Sequence, residues 1–379
     1  MNHRIVNGDI MRFAAHYHGP KFHAVLCDPP YELGFMGKSW DSRGVSFRAE
    51  TWSAISSLLL PGAHLLAFGG TRTFHRIAVA IEDASFEIRD TIGWMYGSGF
   101  PKSHDVSKAI DREAGAEREI IGPTRRGAQN ESTGRYGAWG DGITPTIPAT
   151  DDARAWQGYG TALKPAWEPV IVARKPLEST VARNCVEHGT GALNIDGCKI
   201  GTDVVFTSAH KTLGDGIKYG KSKPFPASKP RVGRWPANII HDGSDEAAHV
   251  LGDAARFFYC AKTSVREREE GLAGFALRQH SHDGRDTPTE GPHQRNEGLR
   301  RNYHPTVKPI ALTTYLAALI CPPPHIESRI LVPFAGSGSE CIGAALAGWN
   351  TVVGVEREAE YAAIARARLE HWTRQEVMA

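Results

Sequence analysis

The sequence predicts an α/β fold with a largely parallel sheet. Short β-branched runs alternate with helical patterns along the chain, and its two most chemically pointed motifs fall where strands end. Strands are expected at Ile5–Val6, Ala24–Cys27, Leu65–Phe68, Ile88–Tyr96, Val170–Ala173, Ile330–Phe334 and Thr351–Val355, each an apolar run bounded by polar or turn residues. Helices are expected at Thr51–Leu60, Phe74–Ala84, Ile310–Ile320, Ser339–Ala347 and Glu358–Trp372, several with apolar residues at i, i+3 and i+4. With 379 residues, 41% apolar and 23% charged, the chain can bury a large core, which excludes a wholly disordered, collagen-like or coiled-coil protein. The first residues lack the apolar centre of a signal peptide and no apolar run approaches the roughly 18 residues of a membrane span, so a cytoplasmic location is expected. Six cysteines without CxxC spacing predict reduced thiols rather than a disulfide framework or a zinc ribbon.

Two regions, about 103–165 and about 177–302, break the strand–helix rhythm with Gly, Pro, His and charge, and read as insertions. Inside the second, Asp196-Gly197 between the short apolar runs of Ala192–Ile200 predicts a tight β-hairpin. From Lys199 to Arg234 there are eight Lys or Arg against two Asp, far more basic than the whole chain at +2, which suits either a solvated loop or a phosphate-binding surface. The cluster Arg266-Glu267-Arg268-Glu269-Glu270 reads as a solvated helix face or loop.

Asp28-Pro29-Pro30-Tyr31 closes the run Ala24–Cys27, at the strand end where open α/β sheets bind ligands. Consecutive prolines fix the backbone and remove two N–H donors, leaving carbonyl oxygens to accept hydrogen bonds from elsewhere. An amino group fits such a site: Asp28 accepts a second hydrogen bond, and Tyr31 offers a face on which a planar base can stack. Cys27 beside it reads as core packing rather than a nucleophile.

Phe334-Ala335-Gly336-Ser337-Gly338-Ser339-Glu340 lies between a predicted strand and a predicted helix, so its glycines allow backbone to approach a ligand at a helix amino terminus. The next strand ends in Glu356, eighteen residues after Gly338, as in nucleotide folds where an acid holds ribose hydroxyls; alternatively Glu356 caps the helix that follows. A dinucleotide oxidoreductase is disfavoured, because Cys341 and Ile342 stand where a third glycine belongs.

In this order the motifs resemble the β class of DNA amino-methyltransferases, in which the Asp-Pro-Pro-Tyr motif comes first and the Gly-rich loop last. Asn302-Tyr303-His304-Pro305-Thr306-Val307-Lys308-Pro309 matches the family segment before that loop, and Gly8-Asp9 its acidic position near the cofactor's adenine. Gly34–Asp41, Phe68–Thr73, Gly97–Ser103, Pro165–Pro169 and Gly233–Asn238 resemble a phage and prophage branch. The resemblance implies a Rossmann-like, seven-stranded sheet with circularly permuted motif order: residues 1–176 catalytic, 177–302 target-recognising and 303–379 cofactor-binding. It implies methyl transfer from S-adenosylmethionine to the N6 amino group of a flipped adenine in double-stranded DNA. Catalysis would fall to Asp28, Pro29, Pro30 and Tyr31. Cofactor binding would fall to Asp9, Asp28, His304, Thr306, Lys308, Phe334, Ala335, Gly336, Ser337, Gly338 and Glu356. DNA contacts are expected from Lys38, Trp40, Arg43, Lys218, Lys221, Lys223, Arg231 and Arg234, with no metal. A homodimer, nucleoid association through DNA and no obligatory nuclease partner complete the expectation. Departures are Val332, where the family has Asp, and Ser339-Glu340, where it has Thr-Thr. Cytosine N4 methylation and a DNA-binding module that keeps the fold without catalysis are the rival readings. A zinc site at Cys185, His188 and Cys198 lacks a fourth ligand and paired spacing.

Overall fold

Among the described residues, nine strands form the central sheet of the computed structural model: β1 (Asn2–Asn7), β2 (Phe22–Cys27), β3 (Leu59–Phe68), β4 (Glu87–Met95), β5 (Trp167–Arg174), β6 (Ile239–His241), β7 (Phe258–Tyr259), β8 (Arg329–Pro333) and β9 (Thr351–Glu356). Their order is β1-β9-β8-β2-β3-β5-β4-β6-β7, eight parallel to one another and β5 against them. The helices are α1 (Ile10–His16), α2 (Ala49–Ser57), α3 (Phe74–Asp83), α4 (Val106–Glu113), α5 (Asp151–Ala155), α6 (Val181–His188), α7 (Val265–Glu269), α8 (Ile310–Leu319), α9 (Ser339–Leu346) and α10 (Ala359–Glu376). The structure describes residues 2–32, 44–97, 103–122, 145–205, 231–245, 249, 258–260, 263–280 and 298–376.

Successive strand residues point to opposite faces, and at the centre of the sheet both faces are covered, so β2, β8 and β9 are buried almost throughout, while β1 and β4 keep exposed polar residues. Val25, Leu65, Leu331 and Val353 pack with Trp52, Ile55, Ile77 and Ile81 on the face of α2 and α3. Their neighbours Leu26, Leu66, Val332 and Val352 pack with Leu312, Leu316, Ile342 and Ala365 on the face of α8, α9 and α10. The chain leaves β2 towards α2 on one face and leaves the adjacent β8 towards α9 on the other. A crevice therefore opens between these two strand ends, where such sheets take their ligands. Because β5 is antiparallel, its first residues, Trp167 and Glu168, lie at the same edge as the last residues of β3 and β4.

All seven expected strands are present. The sheet nevertheless has nine, because β6 and β7, three and two residues long, join its β4 edge from within the second insertion. Segments so short carry no readable period. The expected hairpin at Ala192–Ile200 is overturned: Asp196–Cys198 is a 3-10 turn in which the Asn194 carboxamide accepts from Gly197 N (3.1 Å). Asn194 competes with the ladder by capping this turn. The strand Ile200–Val205 pairs instead with Arg231–Arg234. The helix expected to reach Leu60 stops at Ser57, since Leu59 already pairs with Phe22 in the sheet. The first insertion closes around buried Asp111, which accepts from Arg118 (2.7 Å), the Ala149 and Thr150 amides (each 3.0 Å) and the Thr150 hydroxyl (2.8 Å). Among the described residues no helix is long and apolar enough to cross a membrane.

Candidate active site

Asp28 follows the last residue of β2, and Pro29-Pro30 carries the chain over the crevice. The Ser46 hydroxyl donates to the Pro30 carbonyl (2.6 Å) and its own carbonyl takes the Trp52 indole N–H (2.9 Å), which fastens the turn to α2. Among the described residues the Pro29 carbonyl has no donor, as two adjacent prolines allow. Both Asp28 carboxylate oxygens are engaged: Oδ1 accepts from the Tyr31 hydroxyl (2.8 Å) and Oδ2 from Lys308 Nζ (2.8 Å).

Lys308 Nζ also donates to Glu168 Oε1 (3.0 Å) and to the Tyr31 oxygen (3.1 Å), so its three donors have three acceptors. The Tyr31 hydroxyl stands between Asp28 and Glu168, with a hydrogen-bonding contact to each. The ammonium lies 4.7 Å from the Phe68 ring centroid and 5.5 Å from that of Tyr31. Burial pulls the Lys308 pKa down, but the charges of Asp28 and Glu168 push it further up, so the ammonium stays charged. Burial, with Asp28 and Glu168 beside it, keeps Tyr31 protonated. Cys27 is held as a thiol by burial first, then by Asp28 and Glu340, in keeping with a packing role.

The Gly-rich loop forms the other wall. Phe334, Gly336 and Gly338 all have positive φ (58°, 50° and 85°), which turns the chain sharply from β8 into α9. Gly336 N donates to Glu356 Oε2 (2.8 Å), while Glu358 N donates to Oε1 (2.8 Å), so Glu356 both braces the loop and holds the turn towards α10. A carboxylate has about four acceptor positions, which leaves it able to take hydroxyls from a ligand. Burial raises its pKa. Asp9 caps α1 through Met11 N (2.9 Å) and Arg12 N (3.4 Å). His304 Nδ1 lies 2.7 Å from the Thr306 carbonyl and must carry the proton there, leaving Nε2 as an acceptor on the Gly336 side. Burial pushes the His304 pKa down to about 3.

These two walls enclose one cavity of about 860 Å³. Of the expected site residues, Asp9, Asp28, Pro29, Pro30, Tyr31, His304, Thr306, Lys308, Phe334, Ala335, Gly336, Ser337 and Glu356 all line it. Gly338 does not. It packs against α10, where an added Cβ would stand 3.0 Å from that of Ala365. Lys38, Trp40, Arg43, Lys218, Lys221 and Lys223 lie outside the described residues. Arg231 and Arg234 are the ends of a strand remote in sequence from the cavity, and the Arg234 side chain is exposed. Arg48 lines the cavity. Lys199, first of the basic run, pairs with Asp196 (2.9 Å).

Sequence reasoning passed over two contributors, Glu168 and Arg368, and marked a third, Glu340, only as a departure in the Gly-rich loop. Glu168 sits inside Pro165–Pro169, where an acid at a strand start gave no sign of its partners. Arg368 is fully buried on α10 and donates to the Ser337 carbonyl (2.6 Å) and to the Ser337 and Ser339 hydroxyls (3.2 and 3.4 Å). A cation within an apolar helical stripe was the available signal. Glu340, 4% exposed, also lines the cavity. The zinc trio is not assembled: His188 bonds Glu178 (2.9 Å), and among the described residues the only cluster with ligand spacing is Glu178, Glu187 and His188.

The profile of a family described as DNA methylase, N6_N4_Mtase, matches residues 22–367. Type II methyltransferase M.HindIII from Haemophilus influenzae is 25% identical over 149 residues, which is 38% of this chain and 37% of that protein. The chain thus matches little more than a third of the length of this curated relative. Among solved structures, an M1.HpyAVI–SAM complex aligns with 97% of this chain and 98% of its own at 15% identity and a TM-score of 0.43. PvuII DNA methyltransferase, described as cytosine-N4-specific, aligns with 97% of this chain and 86% of its own at 11% identity and a TM-score of 0.47.

Proposed function

Because the chain belongs to the DNA methylase family of N6 and N4 amino-methyltransferases, we propose that it methylates DNA with S-adenosylmethionine, at the N6 amino group of a flipped adenine. The observation that carries this reading is that Asp28 and the Pro29 carbonyl, which no described residue pairs, share one cavity with Gly336 and Glu356.

The residues present fit the cofactor. A cavity of about 860 Å³ falls within the range of small-molecule sites, roughly 300–1,000 Å³. At Gly336 a Cβ would stand 2.9 Å from His304 Nε2, so the glycine keeps open a cradle that any side chain would fill. Asp9 and Glu356 offer acceptors for adenosine, and His304 and Lys308 stand at the methionine end. When bound, the cofactor supplies an electrophilic methyl group.

The remaining work belongs to the chain. A base in a duplex cannot reach this crevice, so it enters flipped, at a cost of roughly a few kcal/mol. Asp28 and the Pro29 carbonyl accept the two amino hydrogens and aim the nitrogen lone pair across the cavity. Tyr31 and Lys308 take two of the roughly four acceptor positions of Asp28, which leaves room for an amino hydrogen, and Glu168 shares both donors and so weakens their hold on Asp28. The Tyr31 ring, which lines the cavity, is available to stack on the base. Double-stranded DNA is the proposed partner, with the basic segment Lys199–Arg234 answering phosphates.

The test is to incubate the protein with unmethylated duplex DNA and S-adenosylmethionine, digest to nucleosides and weigh the product. N6-methyladenine, lost in Asp28→Ala, is expected. N4-methylcytosine would move the target to the other amino group, and no product from the unaltered protein despite DNA binding would leave a binding module.

A further inference from the structure

Glu340 is the second residue of α9, and its side chain is buried yet lines the cavity. Among the described residues no cation stands within ion-pair distance of it. Its near cations serve others: Lys308 bonds Asp28 and Glu168, and Arg368 bonds the Ser337 carbonyl. The groups whose charges reach Glu340 are Asp28, Lys308 and Arg368, and its own charge reaches Cys27 and Cys341. Glu356, by contrast, answers to Glu358 and Arg357. Both acids reach Cys341, but Glu340 alone of the two acts on Asp28's neighbours Cys27 and Lys308, which places it on the Asp28 side. There, three carboxylates (Asp28, Glu168 and Glu340) stand with two cations, Lys308 and Arg368, so that with Glu340 ionised this group carries one net negative charge. Burial first, then Asp28, pushes the Glu340 carboxyl up to about 7, against the opposing pull of Lys308, its own backbone amide and Arg368.

S-adenosylmethionine carries a sulfonium that S-adenosylhomocysteine lacks, so the two differ by one positive charge at the atom that gives up the methyl. We propose that Glu340 is the counter-charge to that sulfonium, so that the cavity holds the methyl donor more tightly than the demethylated product and loosens its grip once the charge is gone. This rests on reading the cavity as the S-adenosylmethionine pocket. Val332 is fully buried in the sheet and does not line the cavity, whereas Glu340 does.

Calorimetric titration of the unaltered protein and of Glu340→Gln with S-adenosylmethionine and with S-adenosylhomocysteine tests it without turnover. At about pH 8, Glu340→Gln is expected to lose roughly tenfold or more in affinity for the sulfonium ligand and little for the thioether, as removal of one charge at short range in a buried site implies. In the unaltered protein the preference should shrink between about pH 8 and pH 6, as Glu340 takes a proton, and in the variant it should not. The α-amino group common to both ligands largely cancels in the ratio. Equal losses for both ligands, or a preference untouched by pH and by the substitution, would overturn the proposal while leaving the pocket assignment standing. Binding of neither ligand by the unaltered protein would overturn both.

Discussion

Lys308 has three hydrogens and gives them to Asp28, Glu168 and Tyr31, which defines what Glu168 does. Without Glu168, the ammonium and the phenol would have Asp28 as their one hydrogen-bonded carboxylate among the described residues and would hold it more tightly against an incoming base. Glu168→Gln keeps the shape and removes the charge. Its expected effect is a fall in kcat on the order of ten- to a hundredfold with the KM for S-adenosylmethionine nearly unchanged, since the loss concerns the release of Asp28 rather than cofactor contacts. A matched rise in that KM, with kcat preserved, would assign Glu168 to binding instead. At this scale much was legible: Asp28-Pro29-Pro30-Tyr31 and the Gly-rich loop do meet across one cavity. Glu168 and Arg368 were not, because their meaning lies in partners 137 and 31 residues away in the chain, Tyr31 and Ser337.

At the scale of elements, the charged helix α7 shows why pattern reading sends such runs to the surface and is sometimes wrong. Glu267 accepts from Ile310 N, the first residue of α8, whose N-cap position is Pro309 and supplies no side-chain cap. Glu269 accepts from Arg301 N (3.0 Å) and Asn302 N (3.3 Å), and Arg268 donates to the His304 carbonyl (2.9 Å). The helix is a clamp that sets the segment His304–Lys308 against the cavity. Glu267→Ala should cost about 1 kcal/mol of stability, the usual loss for a helix cap, measurable by urea denaturation. A change indistinguishable from zero would return α7 to the solvated role its composition suggests. The hairpin expected at Asp196-Gly197 failed for a related reason, because a side chain, Asn194, gave the backbone a local alternative to a ladder.

For the whole molecule, acid stability follows from groups held away from their ordinary charge. Burial lowers His64 to about 4 and His304 to about 3 from 6.5. Below pH 6.5 the unfolded chain therefore takes up two protons that the folded chain refuses, and stability is lost as pH falls, by up to about 1.4 kcal/mol per unit for each histidine. Glu340 acts in the opposite sense: its folded value near 7 lies above 4.5, so it adds stability as pH falls across that interval. His3 and His23, also lowered by burial, add to the loss, and Glu356, raised by burial, acts with Glu340 against it; four histidines against two acids give a net fall in stability from pH 6 to 5, which denaturation midpoints at those two values would check. A flat profile there would mean that His64 or His304 titrates normally in the fold.

The order of strands also governs when the protein can begin to work. β2, with Asp28 at its tip, is flanked in the finished sheet by β8, and β8 by β9; Arg329 N of β8 bonds His23 Nδ1 of β2 across 306 residues of chain. During synthesis the loop that carries Asp28 thus leaves the ribosome some 306 residues before the wall that faces it. A nascent chain bearing Asp28 has no cavity until the distant partner strands arrive.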